Sequence, residues 1–171
     1  MPWRWTRALP PFVDAAVLWV HLFSAVLFVG GSFFMWIVVV PASHMLTEDE
    51  SERTLIVGKI ARRFAKIVNP ALLVLVATGV FNATWYLPSM DSLFASYAGY
   101  LLLAKVSAVA ALIALLYVSN VYFGRKITRL AKEGRLDELK ALRKTSRLVS
   151  FANLGLMSAI LLLAAIMQTT T

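Results

Sequence analysis

Residues Tyr97–Phe123, YAGYLLLAKVSAVAALIALLYVSNVYF, form an almost unbroken apolar run in which Lys105 is the only charged residue. At about 1.5 Å of rise per residue, an apolar run of this length is long enough as a helix to cross a hydrocarbon core about 30 Å thick. A lysine inside such a helix costs on the order of 2.5–3.5 kcal/mol to insert. We therefore expect Lys105 to have a partner, a cavity or a route to the interface.

Three more apolar runs surround this one, near residues 15–40, 67–87 and 148–167. With 60% hydrophobic and 15% charged residues and a mean hydropathy of +0.74, the chain lies outside the range of soluble domains. The first run is too long for a signal peptide and is expected to be a retained helix. The sequence predicts an all-α four-helix bundle, a multi-pass protein of the cell membrane. Its single transmembrane domain, 1–171, has helices near 12–41, 54–87, 95–132 and 137–168.

The net charge of +8 is concentrated in the connections after the first and third helices, whereas the connection between the second and third helices has no Lys or Arg. The positive-inside rule then predicts cytoplasmic helical extensions and an N-out, C-out topology. Thr47 and Glu50 have the spacing of a capping box for the second helix. This distribution indicates the lipid bilayer as the partner and argues against nucleic acid.

Several chemistries have no support in the sequence. No cysteine is present, so thiolate metal sites and disulfides are excluded. We find no Gly-rich phosphate loop and no Ser/His/Asp set, which leaves hydrolase and nucleotide-binding functions without a motif.

Depth within the membrane brings His21 and Lys105 together. In the predicted topology the first and third helices both enter from outside, and His21 lies about six residues past Ala15, as Lys105 lies about eight past Tyr97. Both side chains are therefore expected roughly 9–12 Å below the outer interface. Two ionisable nitrogen side chains in one layer form a candidate catalytic and ligand-binding site, with His21 as the metal ligand.

One face of the first helix is small or polar. Steps of three, four and seven residues from His21 lead to Ser24, Ala25, Phe28 and Gly31. Such a face permits either close helix packing or space for a flat ligand beside His21.

Three interpretations of the pair remain open. In the first, His21 is an axial ligand of haem b, and Lys105 is a second ligand or the partner of a propionate or tetrapyrrole carboxylate; Met157 is another candidate for the second axial position. In the second, His21 binds copper during transport. In the third, Lys105 reaches outward to Asp14 and His21 is a hydrogen-bonded core residue.

Four segments carry a resemblance to a known group of proteins. WVHLFSAVLFVGGSFF (19–34), NPALLVLVATGVF (69–81), LLLAKVSAV (101–109) and SRLVSFANLG (146–155) resemble the HemJ-type protoporphyrinogen oxidases and the related CopD-like membrane domains. The resemblance implies haem b, His21 and Lys105 as the functional pair, and Asn153 as a further site residue. It also implies oxidation of protoporphyrinogen IX with a quinone as acceptor.

Leu154 and Phe28 stand where that group has a glutamate and a tryptophan. The expectation is therefore a haem b-binding membrane redox protein that acts on a porphyrin or quinone. The alternatives are a CopD-like copper transport or resistance component and a non-catalytic membrane interaction protein. A homodimer is the base-rate expectation for its assembly.

Overall fold

The computed structural model describes residues 10–83 and 92–169, which contain helices and no strand. Four helical rods are long and apolar enough to cross a membrane, which confirms the predicted all-α multi-pass architecture. We label the rods α1 to α4. Their spans are Pro11–Met45, Glu50–Ala83, Gly99–Lys132 and Leu136–Ile166. The last two spans belong to longer helices: the helix of α3 begins at Tyr97, after the short helix Ser92–Ala95 and the capping residue Ser96, and the helix of α4 continues to Thr169.

The start of α2 differs from the prediction. The helix begins at Glu50, and the carboxylate of Asp49 accepts the Ser51 amide at 2.8 Å, so Asp49 is the capping residue. The Thr47 hydroxyl instead donates to Glu52 at 2.8 Å, and the predicted capping box of Thr47 with Glu50 is wrong. The predicted end of this helix at 87 falls outside the described residues.

Two of the rods contain wide, π-helical turns. In α1 these are Val26–Gly30 and Met35–Val39, and in α3 the turn is Val118–Phe123. Each π-helical turn shifts the side chains that follow it around the helix axis relative to a 3.6-residue period. The second of them also explains why α1 continues through Pro41 to Met45, beyond the predicted end at 41. The usual hydrogen-bond pattern is already broken there, so the missing proline N–H costs less.

The centre of the bundle is an apolar cluster to which all four rods contribute. Its buried members are Phe28 of α1, Val68 of α2, Leu112 of α3 and Met157 of α4. Because each rod places one buried side chain in the same cluster, the four rods form one bundle. Within it α1 packs mainly on α2, and α3 packs mainly on α4.

A second core lies at the end of the bundle that the charge distribution predicts to be cytoplasmic. Leu130 and Leu139 are 1% and 0% exposed and pack with Ala131 and the half-buried Leu55. We call this cluster the cytoplasmic core. The turn between α3 and α4 is tight because Gly134 adopts a positive φ of 69°, a conformation that favours glycine.

Candidate functional site

The predicted metal ligand, His21, is held by α2. Its Nδ1 lies 2.8 Å from the hydroxyl oxygen of Thr78, and that hydroxyl donates its own hydrogen to the Val74 carbonyl at 2.6 Å. With its hydrogen committed, the Thr78 oxygen accepts from His21. The Leu75 carbonyl is a second acceptor that interacts with the same imidazole. With two oxygens placed to accept, this geometry favours the neutral tautomer whose proton is on Nδ1.

This tautomer leaves a lone pair on Nε2 of His21. A neutral imidazole carries one N–H and one acceptor nitrogen, and a hydrogen bond from one nitrogen fixes the other as the ligand or base. Histidines that bind metals usually donate their second nitrogen in this way to a carbonyl, carboxylate or water. The hydrogen bond to Thr78 thus leaves Nε2 of His21 available to bind a metal ion or to accept a proton.

Gly79 determines how closely the imidazole approaches α2. A Cβ atom built on Gly79 would stand 3.3 Å from Cε1 of His21 and 4.0 Å from Nδ1. This separation is tighter than ordinary van der Waals contact, so any larger residue would press on the ring. The edge that carries Nδ1 and Cε1 therefore faces α2, whereas Nε2, which is bonded to Cε1, lies more than 4 Å from the Gly79 Cβ position.

Lys105 of α3 lies in the same part of the bundle. It is half-buried, as His21 is, and it is close enough to His21 for the two side chains to interact electrostatically. His21 and Lys105 are therefore neighbours, as depth counting predicts, and their function as a shared site stays a prediction. We call His21, Thr78 and Lys105 the outer layer.

The small face of α1 serves packing at Gly31. A Cβ on Gly31 would lie 2.5 Å from the ring of Phe64, so this α2 side chain fills the space that the glycine leaves. Ser24 and Phe28 are 5% and 2% exposed, and Ala25 is half-buried. Close helix packing therefore explains Gly31, whereas a ligand role for the other three positions stays a prediction.

Met157 and Asn153 lie deeper than His21. Phe28, which packs in one cluster with Met157, is two helical turns past His21, about 10 Å further in. Asn153 is one turn beyond Met157, and its amide nitrogen is 3.4 Å from the Ser119 hydroxyl oxygen. The structure does not bring these two residues to His21.

No group of three or more His, Cys, Asp or Glu side chains that could hold a metal ion occurs among residues 10–83 and 92–169. The second histidine of the sequence, His44, is exposed near the opposite end of α1. A metal at His21 would thus have to be held with few protein ligands.

Sequence reasoning did not assign Thr78 a role, although a signal was present. Thr78 is seven residues before Trp85, and because tryptophan is typical of the membrane interface, the sequence predicts a depth of about 10 Å for Thr78, like that of His21. Threonine in a membrane helix commonly bonds back to its own helix, and Thr78 does so. The sequence does not show which residues of α2 face His21 of α1, so it could not reveal that the Thr78 oxygen also accepts a hydrogen bond from His21.

The four apolar rods and their shared core define an all-α, multi-pass membrane protein. A family model described as Copper resistance protein D matches residues 58–167, more than half of the chain, and the protein belongs to this CopD family. The matched residues include Thr78 and Lys105 but begin after His21. No curated protein and no solved structure matches the chain. The CopD-like part of the predicted resemblance is thus confirmed.

Proposed function

We propose that the protein is a membrane component of copper resistance that takes copper(I) as its cargo through Nε2 of His21. The observation that carries the proposal is the Nδ1–Thr78 hydrogen bond of 2.8 Å, which leaves Nε2 with a free lone pair. Membership in the copper resistance protein D family supplies the class of cargo.

The chemistry of the residues suits a transient copper ion. Neutral imidazole is a good ligand for copper, and thioether sulfur favours copper(I). His21 offers the first kind of ligand, and Met157 offers the second about 10 Å deeper on the bundle axis. An ion that is passed on needs a weaker site than a resident cofactor, which agrees with the lack of a His/Cys/Asp/Glu cluster in the described part of the chain.

A competition titration tests this function. Protein purified in detergent is titrated with copper(I) against bicinchoninate under anaerobic conditions. We expect one copper(I) per chain in the wild type and loss of at least about tenfold in affinity for His21→Ala. The matched control is His44→Ala, which removes the exposed histidine and should bind copper as the wild type does. Equal affinity of the His21→Ala variant and the wild type would overturn the proposal.

A second candidate, binding of haem b, is favoured by one specific observation. Lys105 is within electrostatic range of His21, and an ammonium group there stabilises an anionic ligand and opposes a cation. If haem bound, His21 would hold the iron and Lys105 a propionate, and the haem would supply one-electron redox chemistry. Oxidation of a porphyrin or exchange of electrons with a quinone rests on this candidate.

Lys105→Leu separates the two functions. If copper(I) is the ligand, removal of the ammonium group removes a like-charge repulsion and should raise the affinity by roughly tenfold. If haem is the ligand, the same change should lower haem content. An absorption spectrum of the purified protein gives the second readout, because a Soret band that disappears in His21→Ala would establish haem and displace copper as the main function.

A further inference from the structure

We propose that a belt of six exposed basic side chains at the cytoplasmic end of the bundle binds the phosphate groups of anionic phospholipids in the inner leaflet. The belt spans three helices and is separate from the outer layer, so the inference does not depend on the copper proposal. Its members are Arg62, Arg63, Lys66, Arg125, Lys144 and Arg147.

Contacts between helices place the six residues at one level. The Thr128 hydroxyl of α3 lies beside Gly58 of α2, 3.9 Å from where a Cβ would be. Leu130 of α3 packs against Leu139 of α4 in the cytoplasmic core. Counting about 1.5 Å per residue from these contacts, the belt occupies a band about 8 Å deep.

The belt segments themselves contain no carboxylate, and Glu50, which reaches toward α4, is already paired with Arg143 at 3.1 Å. The acidic residues on this side of the bundle occupy 48–52 and 133–138, further from the membrane, and none occurs in 59–66, 125–128 or 144–147. At that far tip the cations have internal partners: Arg129 and Arg135 both pair with Glu133, at 3.5 and 3.3 Å. The countercharge for the belt must therefore come from outside the protein.

Exposed apolar side chains of α1 indicate how far the hydrocarbon core of the bilayer extends toward the cytoplasmic end of the bundle. Phe64 of α2 contacts Gly31, so the belt lies level with the turn of α1 that follows Gly31. Phe34, Ile37 and Val38 are 56%, 66% and 44% exposed, and they extend at least as far toward the cytoplasmic end as the belt does. Large apolar side chains at this level need hydrocarbon contact, so the neighbouring basic side chains meet lipid headgroups and not open water.

Phospholipid phosphates fit this arrangement in both charge and depth. Basic residues near an anionic leaflet contribute additively to its attraction, and the attraction weakens as salt screens it. The belt should therefore select anionic over zwitterionic lipid by charge, with no requirement for one headgroup shape.

The test compares lipid retention in two matched double variants. Detergent-purified protein is equilibrated with equal amounts of phosphatidylglycerol and phosphatidylcholine, washed, and analysed for retained lipid by mass spectrometry. The wild type should retain phosphatidylglycerol in several-fold excess. Arg62→Gln/Lys66→Gln should reduce this excess by about twofold, because two of the six additive charges are removed. The control Lys132→Gln/Lys140→Gln removes the same charge at the far tip and should leave the excess unchanged.

Three results would overturn the proposal. Wild type that retains both lipids in their input ratio has no anionic selectivity. Equal loss in the two double variants would mean that net charge, not the belt, attracts the lipid. Displacement of phosphatidylglycerol by millimolar inorganic phosphate would make soluble phosphate the ligand of the belt.

Discussion

The two ends of the bundle are built from opposite kinds of side chain. The outer layer consists of half-buried polar groups, with a histidine that is oriented by the Thr78 hydroxyl and the Leu75 carbonyl of α2. The cytoplasmic core consists of leucines that are almost fully buried, with Leu139 at 0% and Leu130 at 1% exposure. This contrast predicts that stability and ligand binding are separated along the bundle axis. Substitutions at one end should change stability and those at the other should change binding.

Loss of the Leu139 side chain should have the largest effect. Leu139→Ala opens a cavity in the cytoplasmic core and should lower the free energy of unfolding by about 2–5 kcal/mol, because a buried leucine loses both transfer energy and packing. The effect is measurable by titration with sodium dodecyl sulfate followed by circular dichroism. The control Leu136→Ala, at a position 42% exposed, should change little. Similar destabilisation in both variants would show that no such core exists.

The next effect belongs to the contact between α1 and α2. Gly31→Ala would place a Cβ 2.5 Å from the Phe64 ring, so we expect destabilisation of roughly 1–3 kcal/mol from overpacking. Gly30→Ala is the matched control, since nothing lies within 4 Å of its Cβ position. Phe64→Leu should partly restore the Gly31→Ala variant. If it does not, this ring is not what the added methyl group meets.

A smaller effect is expected for the ion pair that joins α2 to α4. Arg143 donates to Glu50 at 3.1 Å, and both side chains are shielded, with 20% and 24% exposure. A double-mutant cycle with Arg143→Gln and Glu50→Gln should give a coupling energy of about 1 kcal/mol, larger than for an exposed pair. A coupling near zero at low salt would contradict the contact.

Gly79→Ala should have the smallest effect on stability and still affect binding. The added methyl group would stand 3.3 Å from Cε1 of His21, and the ring can move by a few tenths of an ångström to accommodate it. We expect unfolding to change by under about 1 kcal/mol while the affinity for copper(I) falls roughly threefold, because the ring rotates away from Thr78. Gly155→Ala, where a Cβ has open space, should change neither quantity. A loss of stability without a loss of affinity would separate Gly79 from the site.

The sequence predicted the outer layer better than the packing around it. Depth counting was enough to place His21 and Lys105 together, because charge distribution predicts topology and topology predicts depth. The sequence could not reveal that Phe64 fills the space beside Gly31. The hydrophobic periodicity of one helix does not determine how that helix is rotated relative to its neighbour. The π-helical turn Val26–Gly30 makes this harder by shifting the face that a 3.6-residue period predicts.

The cytoplasmic core was also beyond sequence reasoning. Leu130 and Leu139 lie in a strongly basic segment, and the many charged residues around them obscure the short apolar pattern that they form. The tight turn at Gly134 folds the segment back, so that Leu130 and Leu139 meet across it. The outcome depends on that single backbone conformation, and composition does not reveal it.

The proposed binding mode of His21, through Nε2 while Nδ1 remains bonded to Thr78, can be observed directly by NMR. The sequence has two histidines, so His44→Gln protein labelled with ¹⁵N-histidine reports on His21 alone. Copper(I) is diamagnetic, and one equivalent can be added during nitrogen NMR. We expect a protonated Nδ1 in the free protein and, on addition of copper(I), a shift that is much larger at Nε2 than at Nδ1. A protonated Nε2 in the free protein, or a larger copper-induced shift at Nδ1 than at Nε2, would show that His21 does not bind copper in this way.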